Sequence, residues 1–333
     1  MRVSFDEMYN VMKDCLIKHG VSEDIACGCA RNLASNSQGG VGSHGFNRFP
    51  RVVAMLKKGS IKPNARPTLI ESWGSFEKWD GGLGMGNTNA ELCMERAIAL
   101  AKKSGIGCVA LRHTNHWQRG GAFGIQAARA GCVGICWTNT MPNMPAWGAV
   151  DRRIGNNPLI FCVPYGEDYV MVDGAMSQFS YGLIESARMA GKNLPVVGGY
   201  DSEGNLTTDP AEIEKTWRVL PIGFWKGSGL SIMLDILAAS LSDGMAVCDI
   251  GKQGPTPTDE YNLSQVFIAI EVKDKAANDA LVRRVIEDVK ASSQWDEESP
   301  ILYPGERGLE RYRENVELGI PVNEEVWRTV LAL

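Results

Sequence analysis

Residues 82–116 read GLGMGNTNAELCMERAIALAKKSGIGCVALRHTNH. Behind the glycines, Ala90, Met94, Ala97, Ile98 and Ala101 recur at helical spacing, and Gly105 supplies a stop. Asn87 is placed to cap that helix. Ile106–Leu111 then reads as a strand, and Arg112–His116 as the loop after it. A helix feeding directly into a strand sets the class as α/β. The glycines decide which kind. Gly82-Leu83-Gly84-Met85-Gly86 has the wrong spacing for G-x-G-x-x-G, and Gly227-Ser228-Gly229 lacks the third glycine. The chain also has no G-x-x-x-x-G-K-[ST], no H-E-x-x-H and no G-x-S-x-G.

Upstream the pattern is helical. Ser4 and Glu7 form a capping box ahead of Met8, Val11, Met12, Cys15 and Leu16, and Gly20 closes that helix. Ser22 opens a second helix carrying Ile25, Cys29 and Leu33. A glycine-rich loop, GGVGSHG at 39–45, leads to a third helix over 50–58, with Val53, Ala54 and Leu56 as its apolar members. Downstream, a helix over about 120–130 ends at Gly131, and a strand follows at Val133–Trp137. The polar, proline-containing stretch 138–158 is too long for a routine connection and is a functional candidate. Strands near 159–163 and 169–172 lead into a helix over about 175–190, with Asp173 as its N-cap. Ser228 opens another helix, and Val266, Ile268, Ile270 and Val272 alternate as in a half-buried strand. Helices return over about 279–293, 306–317 and 324–331.

This pattern predicts a helical domain from both chain ends, 1–70 together with 278–333, and an α/β domain over 71–277. Since not every strand is followed by a helix, a purely parallel, doubly wound sheet is not expected.

Composition narrows the function classes. The 333 residues are 44% hydrophobic and 22% charged, ordinary for a globular protein. A formal charge of −5 disfavours nucleic acid, which calls for a basic stripe. No apolar run reaches the roughly 18 residues of a membrane span. The acidic start, Ser4-Phe5-Asp6-Glu7, has no signal-like apolar core. Nine cysteines lie among apolar residues without a C-x-x-C pair, as free buried thiols do, and a cytoplasmic location is expected.

Four histidines are present, and His44 stands out, between Ser43 and Gly45 in the glycine-rich loop. Imidazole is the natural proton donor at neutral pH. If helix begins near His44, Arg48 falls on the same face, and a guanidinium beside an imidazole suits a carboxylate next to a reacting carbonyl. A turn with a capping histidine explains the same spacing. His116 lies between a strand and a helix, and with His113 it forms H-x-x-H. A metal-dependent hydrolase is therefore a rival reading, although two histidines without a third ligand make a poor site. A non-catalytic sugar-acid binder is another. Asp168-Tyr169-Val170-Met171-Val172-Asp173-Gly174 reads as a strand running into a helix N-terminus, which can hold an anion. The Phe224–Trp225 pair beside Lys226 can flank a flat ring, and Pro304-Gly305-Glu306 precedes a helix.

Taken in order, these segments resemble the type-2 malate/L-lactate dehydrogenases, nicotinamide oxidoreductases without the Rossmann fingerprint. The resemblance spans essentially the whole chain. It rests on Ser43-His44-Gly45 with Arg48, Asn115–His116, Gly155–Pro158, the V-D-G-A-x-S run at 172–177, K-G-x-x-L at 226–230 and Pro304–Glu306. Two departures stand out: Ser37 or Gln38 occupies a place where an acid is common, and Asp173-Gly174-Ala175-Met176-Ser177 replaces a D-M-A-T-S-like run. The resemblance implies a non-Rossmann nicotinamide-binding domain with a mixed, largely antiparallel sheet, and a homodimer. It implies reduction of a 2-oxo acid, of which a sugar acid with adjacent keto groups is the leading case; malate, lactate or a cyclic imino acid are alternatives. His44 would be the proton donor, with Arg48 and His116 on the substrate. Cofactor contact would fall on Asp168, Tyr169, Val170, Met171, Val172, Asp173 and Gly174, on Phe224 and Trp225, and on Pro304, Gly305 and Glu306. The expected cofactor is NAD as NADH, with NADPH the alternative.

Overall fold

The computed structural model describes residues 1–294, 296 and 299–333. Seven strands make the main sheet: β1 (Thr68–Trp73), β2 (Phe76–Asp80), β3 (Ile106–Asn115), β4 (Cys132–Thr138), β5 (Leu159–Tyr165), β6 (Asp168–Gly174) and β7 (Tyr261–Glu271). Their spatial order is β1-β2-β3-β7-β4-β5-β6. Only β2 and β3 run parallel, and every other neighbouring pair is antiparallel. The sheet is therefore mixed and largely antiparallel, as expected.

β7 lies at the centre because both of its faces are apolar. Phe267 and Ala269 share one core with Ala90, Met94 and Ala97 of the Gly86–Ser104 helix and Phe123 of the Gly121–Arg129 helix. Val266 faces the other way, into a core with Leu234 and Ala238 of the Trp225–Ser242 helix. Helices thus cover both sides of the sheet. A third core joins the two chain ends: Met8, Met12, Leu33, Phe46 and Val53 pack with Ile320, Trp327 and Val330. By contrast, Lys275–Lys290 buries none of its residues, and Asn278 and Asp279 tie it to the β5–β6 turn.

Local rules set most boundaries. Ser4 Oγ accepts from the Glu7 N–H and starts the Phe5–Lys18 helix. Gly105, in the left-handed region, ends the helix before β3. Several predicted edges move. Asn87 is not the cap, since the helix begins at Gly86 and the Asn87 side chain is buried against Cys29. β3 continues to Asn115, absorbing most of the predicted loop 112–116 because Tyr261 and Leu263 pair with its last residues. Ala54 is exposed, and Phe49, Val52, Val53 and Met55 are the buried residues of the Phe49–Lys58 helix. That of Ser228 begins earlier, at Trp225. Of the nine free thiols, Cys248 is exposed and Cys27 and Cys108 are half-buried.

Candidate active site

The glycine-rich loop sits on the end of the Glu23–Gln38 helix and is pinned there by hydrogen bonds. Asn36 Nδ2 donates to the His44 carbonyl at 3.0 Å, and the Phe46 N–H donates to Ser37 Oγ at 2.8 Å. A Cβ on Gly45 would lie 2.2 Å from Ser37 Oγ and 2.8 Å from the Leu33 carbonyl, so only glycine permits this approach. Ser37, one of the two candidates for the place where an acid is common, is thus a loop anchor. His44 and Arg48 do not share one helix as predicted. Two 3₁₀ turns, Gly42–His44 and Phe46–Arg48, break at Gly45, whose backbone is not helical.

The structure does bring the predicted pair of imidazoles together. His44 and His116 stack with ring centroids 5.9 Å apart. Ser43 Oγ lies 3.1 Å from His44 Nδ1. The Gln118 N–H donates to His116 Nδ1 at 3.0 Å, which leaves the proton of neutral His116 on Nε2. Neither Nε2 has a hydrogen-bond partner among the described residues. His113 is turned to other work: its Nδ1 is 2.8 Å from Asp80 Oδ2, so the H-x-x-H histidines have separate partners.

Around the imidazoles the charge is positive. Arg48 and Arg51 flank the buried carboxylate of Glu260, Arg51 at 2.7 Å and Arg48 at 3.6 Å. The Arg48 side chain makes no hydrogen bond among the described residues, so its guanidinium donors remain unspent. Burial, then Arg48, Arg119 and Arg51, push His44 down to about 3. Burial followed by Arg48 and His44 puts His116 well below the usual imidazole range. Arg48 itself falls to about 10, through burial and the neighbouring Arg51, opposed by Glu260. Both rings are neutral at pH 7 with the site empty of anions. A carboxylate set on Arg48 cancels part of that field and raises the proton affinity of His44.

Arg119 connects this loop to β6. Its Nε is 3.2 Å from Asp173 Oδ2, and a Cβ on Gly39 would lie 2.8 Å from its Nη1. Asp173 is not a helix cap. Its carboxylate also accepts from the Gly121 N–H, and the next helix starts only at Tyr181, capped by Ser180. The Ser177–Pro221 bridge holds the intervening chain extended. The anion-binding helix N-terminus predicted after 168–174 is therefore absent there.

At the same edge, the Met171 N–H donates to the Pro304 carbonyl at 2.9 Å, joining two of the predicted cofactor segments. Gly305 has φ +97°, and a Cβ there would meet Met171 N at 3.2 Å. The two backbones meet in this cradle only because residue 305 has no side chain, and their joined edge is where a cofactor's polar edge would lie. Arg313 pairs with Asp168 at 2.5 Å, and Glu306 with Lys290. The third segment stands elsewhere: Phe224 packs on Trp147 at 5.1 Å, Lys226 lies over Trp225, and no hydrogen bond, ion pair or ring contact joins either aromatic to β6 or to 304–306 among the described residues.

Sequence reasoning missed Arg51, Arg119 and Glu260. Glu260 is more than 200 positions from Arg48, and no local pattern connects them. For Arg119 a signal existed, in the polar Gln118-Arg119 step set between aromatic Trp117 and two glycines.

Fold and site together describe an α/β enzyme that sets an unspent guanidinium beside proton-carrying imidazoles, an arrangement for carbonyl acids. Residues 3–331 match the malate/L-lactate dehydrogenase family. The chain is 46% identical over 336 residues to the 2,3-diketo-L-gulonate reductases of Citrobacter koseri and Escherichia coli O1:K1, with both chains of each pair fully covered. Among solved structures, malate dehydrogenase from Entamoeba histolytica superposes with a TM-score of 0.93 at 26% identity, covering 99% of this chain and 96% of that one. Sulfolactate dehydrogenase from Methanocaldococcus jannaschii gives 0.90 at 27% identity, covering 100% and 98%. The chain belongs to the malate/L-lactate dehydrogenase family, and it is an oxidoreductase.

Proposed function

We propose that this enzyme reduces 2,3-diketo-L-gulonate to 3-dehydro-L-gulonate, with NADH as the reductant. The observation that carries the reading is the half-buried Arg48 guanidinium, free of hydrogen bonds, beside two imidazoles with open Nε2 atoms. Its support in relatedness is the full-length 46% identity to reductases of that name. Arg48 holds the C1 carboxylate, so that the adjacent C2 carbonyl meets His44 and His116. NADH, when bound, would supply the hydride that reduces C2. His44, protonated once the carboxylate offsets the arginine field, gives its proton to the developing alkoxide on O2, and His116 Nε2–H steadies that oxygen. Ser43 orients the His44 ring, and Glu260 keeps Arg48 and Arg51 from repelling each other.

Asp168–Gly174 and Pro304–Glu306 would hold the cofactor along the Gly305 cradle, and Phe224–Trp225, which stand apart from them in this chain, would contact another part of it. The division into 1–70 with 278–333 and 71–277 belongs to this reading, the substrate lying where the two meet. A homodimer does too: the Trp225–Ser242 helix leaves Leu230, Met233, Ile236 and Leu237 largely exposed, an apolar face that a second copy would cover. So does a cytoplasmic location, supported by nine unpaired thiols. No described helix is long and apolar enough to cross a membrane.

The test is absorbance at 340 nm with NADH or NADPH over a panel of 2,3-diketo-L-gulonate, other 2-oxo acids and a cyclic imino acid. The proposal expects NADH oxidation to be fastest with the diketo acid. A preference for another member reassigns the substrate. Chelator-sensitive hydrolysis without NADH consumption would replace the mechanism with the metal-dependent one.

A further inference from the structure

A second cleft lies behind the 138–158 stretch. Two adjoining cavities of about 280 and 400 Å³ share Met141, Arg152, Thr216 and Pro255 in their walls. Four cations line the pair, and two of them are neutralised: Arg153 by Asp151 at 2.6 Å, and Lys215 by Glu212 at 3.6 Å. The other two are not. Arg218 donates to the carbonyls of Val150 and Asp201 and meets no carboxylate. Half-buried Arg152 has neither a side-chain hydrogen bond nor an ion pair among the described residues.

The remaining wall adds two features. Asn143 Nδ2 is engaged by Asn156 at 2.8 Å, while Asn143 Oδ1 is buried without a partner. Trp217, held in the left-handed region at φ +54°, keeps nearly half of its surface exposed. An uncompensated guanidinium calls for an anion, and an indole face for a ring or carbon chain.

We infer that this cleft binds a small organic anion, a carboxylate or a phosphate on a ring or short carbon chain, with Arg152 as its anchor. None of His44, Arg48 and His116 lines the cleft. Tyr181 stands between the cleft and His44, its ring on Trp217 at 5.3 Å and its hydroxyl donating to the Asn143 carbonyl at 2.6 Å, while the next residue, Gly182, faces Ser43. The Arg152 site does not depend on the proposed reaction, because its readout is binding; only the expectation of a second, Arg48-dependent site rests on it.

Isothermal titration of the full-length protein with gluconate and with glucose 6-phosphate, sorbitol serving as the neutral control, tests it. Two anion sites per chain are expected, one lost in Arg48→Gln and the other in Arg152→Gln. Arg152→Gln should weaken the cleft site about tenfold or more, the loss of one charge-assisted contact, and leave kcat intact. Trp217→Phe should weaken it less. Of the two anions, the one bound more tightly identifies the acid or the phosphate as the natural group. A single site removed by Arg48→Gln and untouched by Arg152→Gln overturns the inference, as does equal binding of sorbitol.

Discussion

The two ends of the candidate site are built on opposite principles. At the chemical end, side chains do the work: two imidazoles and three arginines crowd into a place where burial already disfavours charge. At the β6 edge the backbone does it. A strand, a carbonyl and a glycine without a Cβ make the cradle, and the ion pairs nearby, Arg313–Asp168 among them, are open to water. Charges in the first region are coupled to one another, so one change there moves several groups. In the second they are screened, and geometry rather than charge sets the outcome.

Substitutions at the two ends should therefore differ in size. His44→Gln should lower kcat by about 10²–10⁴-fold while cofactor binding, read by NADH fluorescence, stays as it was. Glu260→Gln removes the carboxylate between two arginines. It should cost about 3 kcal/mol in denaturant unfolding and raise the KM for the 2-oxo acid more than it lowers kcat. Acid should act on the same end. Folded His44 binds its proton far less tightly than an unfolded histidine at 6.5, so its contribution to stability is full above that pH and is lost as the pH falls towards about 3. Thermal unfolding between those limits should show this, and His44→Gln should flatten the slope. At the cradle, Gly305→Ala should cost only about 1–2 kcal/mol, the strain of a left-handed alanine. It should raise the KM for NADH and leave kcat at saturation nearly unchanged.

The same contrast decided what was legible in the sequence. Short-range chemistry was readable: Ser4 as a cap, Gly105 as a stop, and His44 in a loop of glycines, while β7, which alternates like a half-buried strand, is covered on both faces. His44, Arg48 and His116 were nominated from loops and spacing, and they do converge. What sequence could not show was the company they keep. Asp173 looks like an N-cap because Asp before Gly-Ala-Met-Ser commonly is one, yet Arg119 and the Gly121 N–H claim its carboxylate across the fold. Likewise β3 outran its predicted end, since pairing with β7, some 150 residues later, supplies the hydrogen bonds that a loop would lack. Glu260 carried no local mark at all.

The central claim is that a substrate carboxylate on Arg48 turns His44 from a neutral imidazole into a proton donor. NMR titration of the His44 ring tests it directly, with and without a non-reacting 2-hydroxy acid in place. In the free enzyme the ring should stay neutral down to about pH 3, and with the acid bound its pKa should climb towards the neutral range. A ring that titrates near 6.5 in the free enzyme, or that ignores the bound acid, would contradict the account.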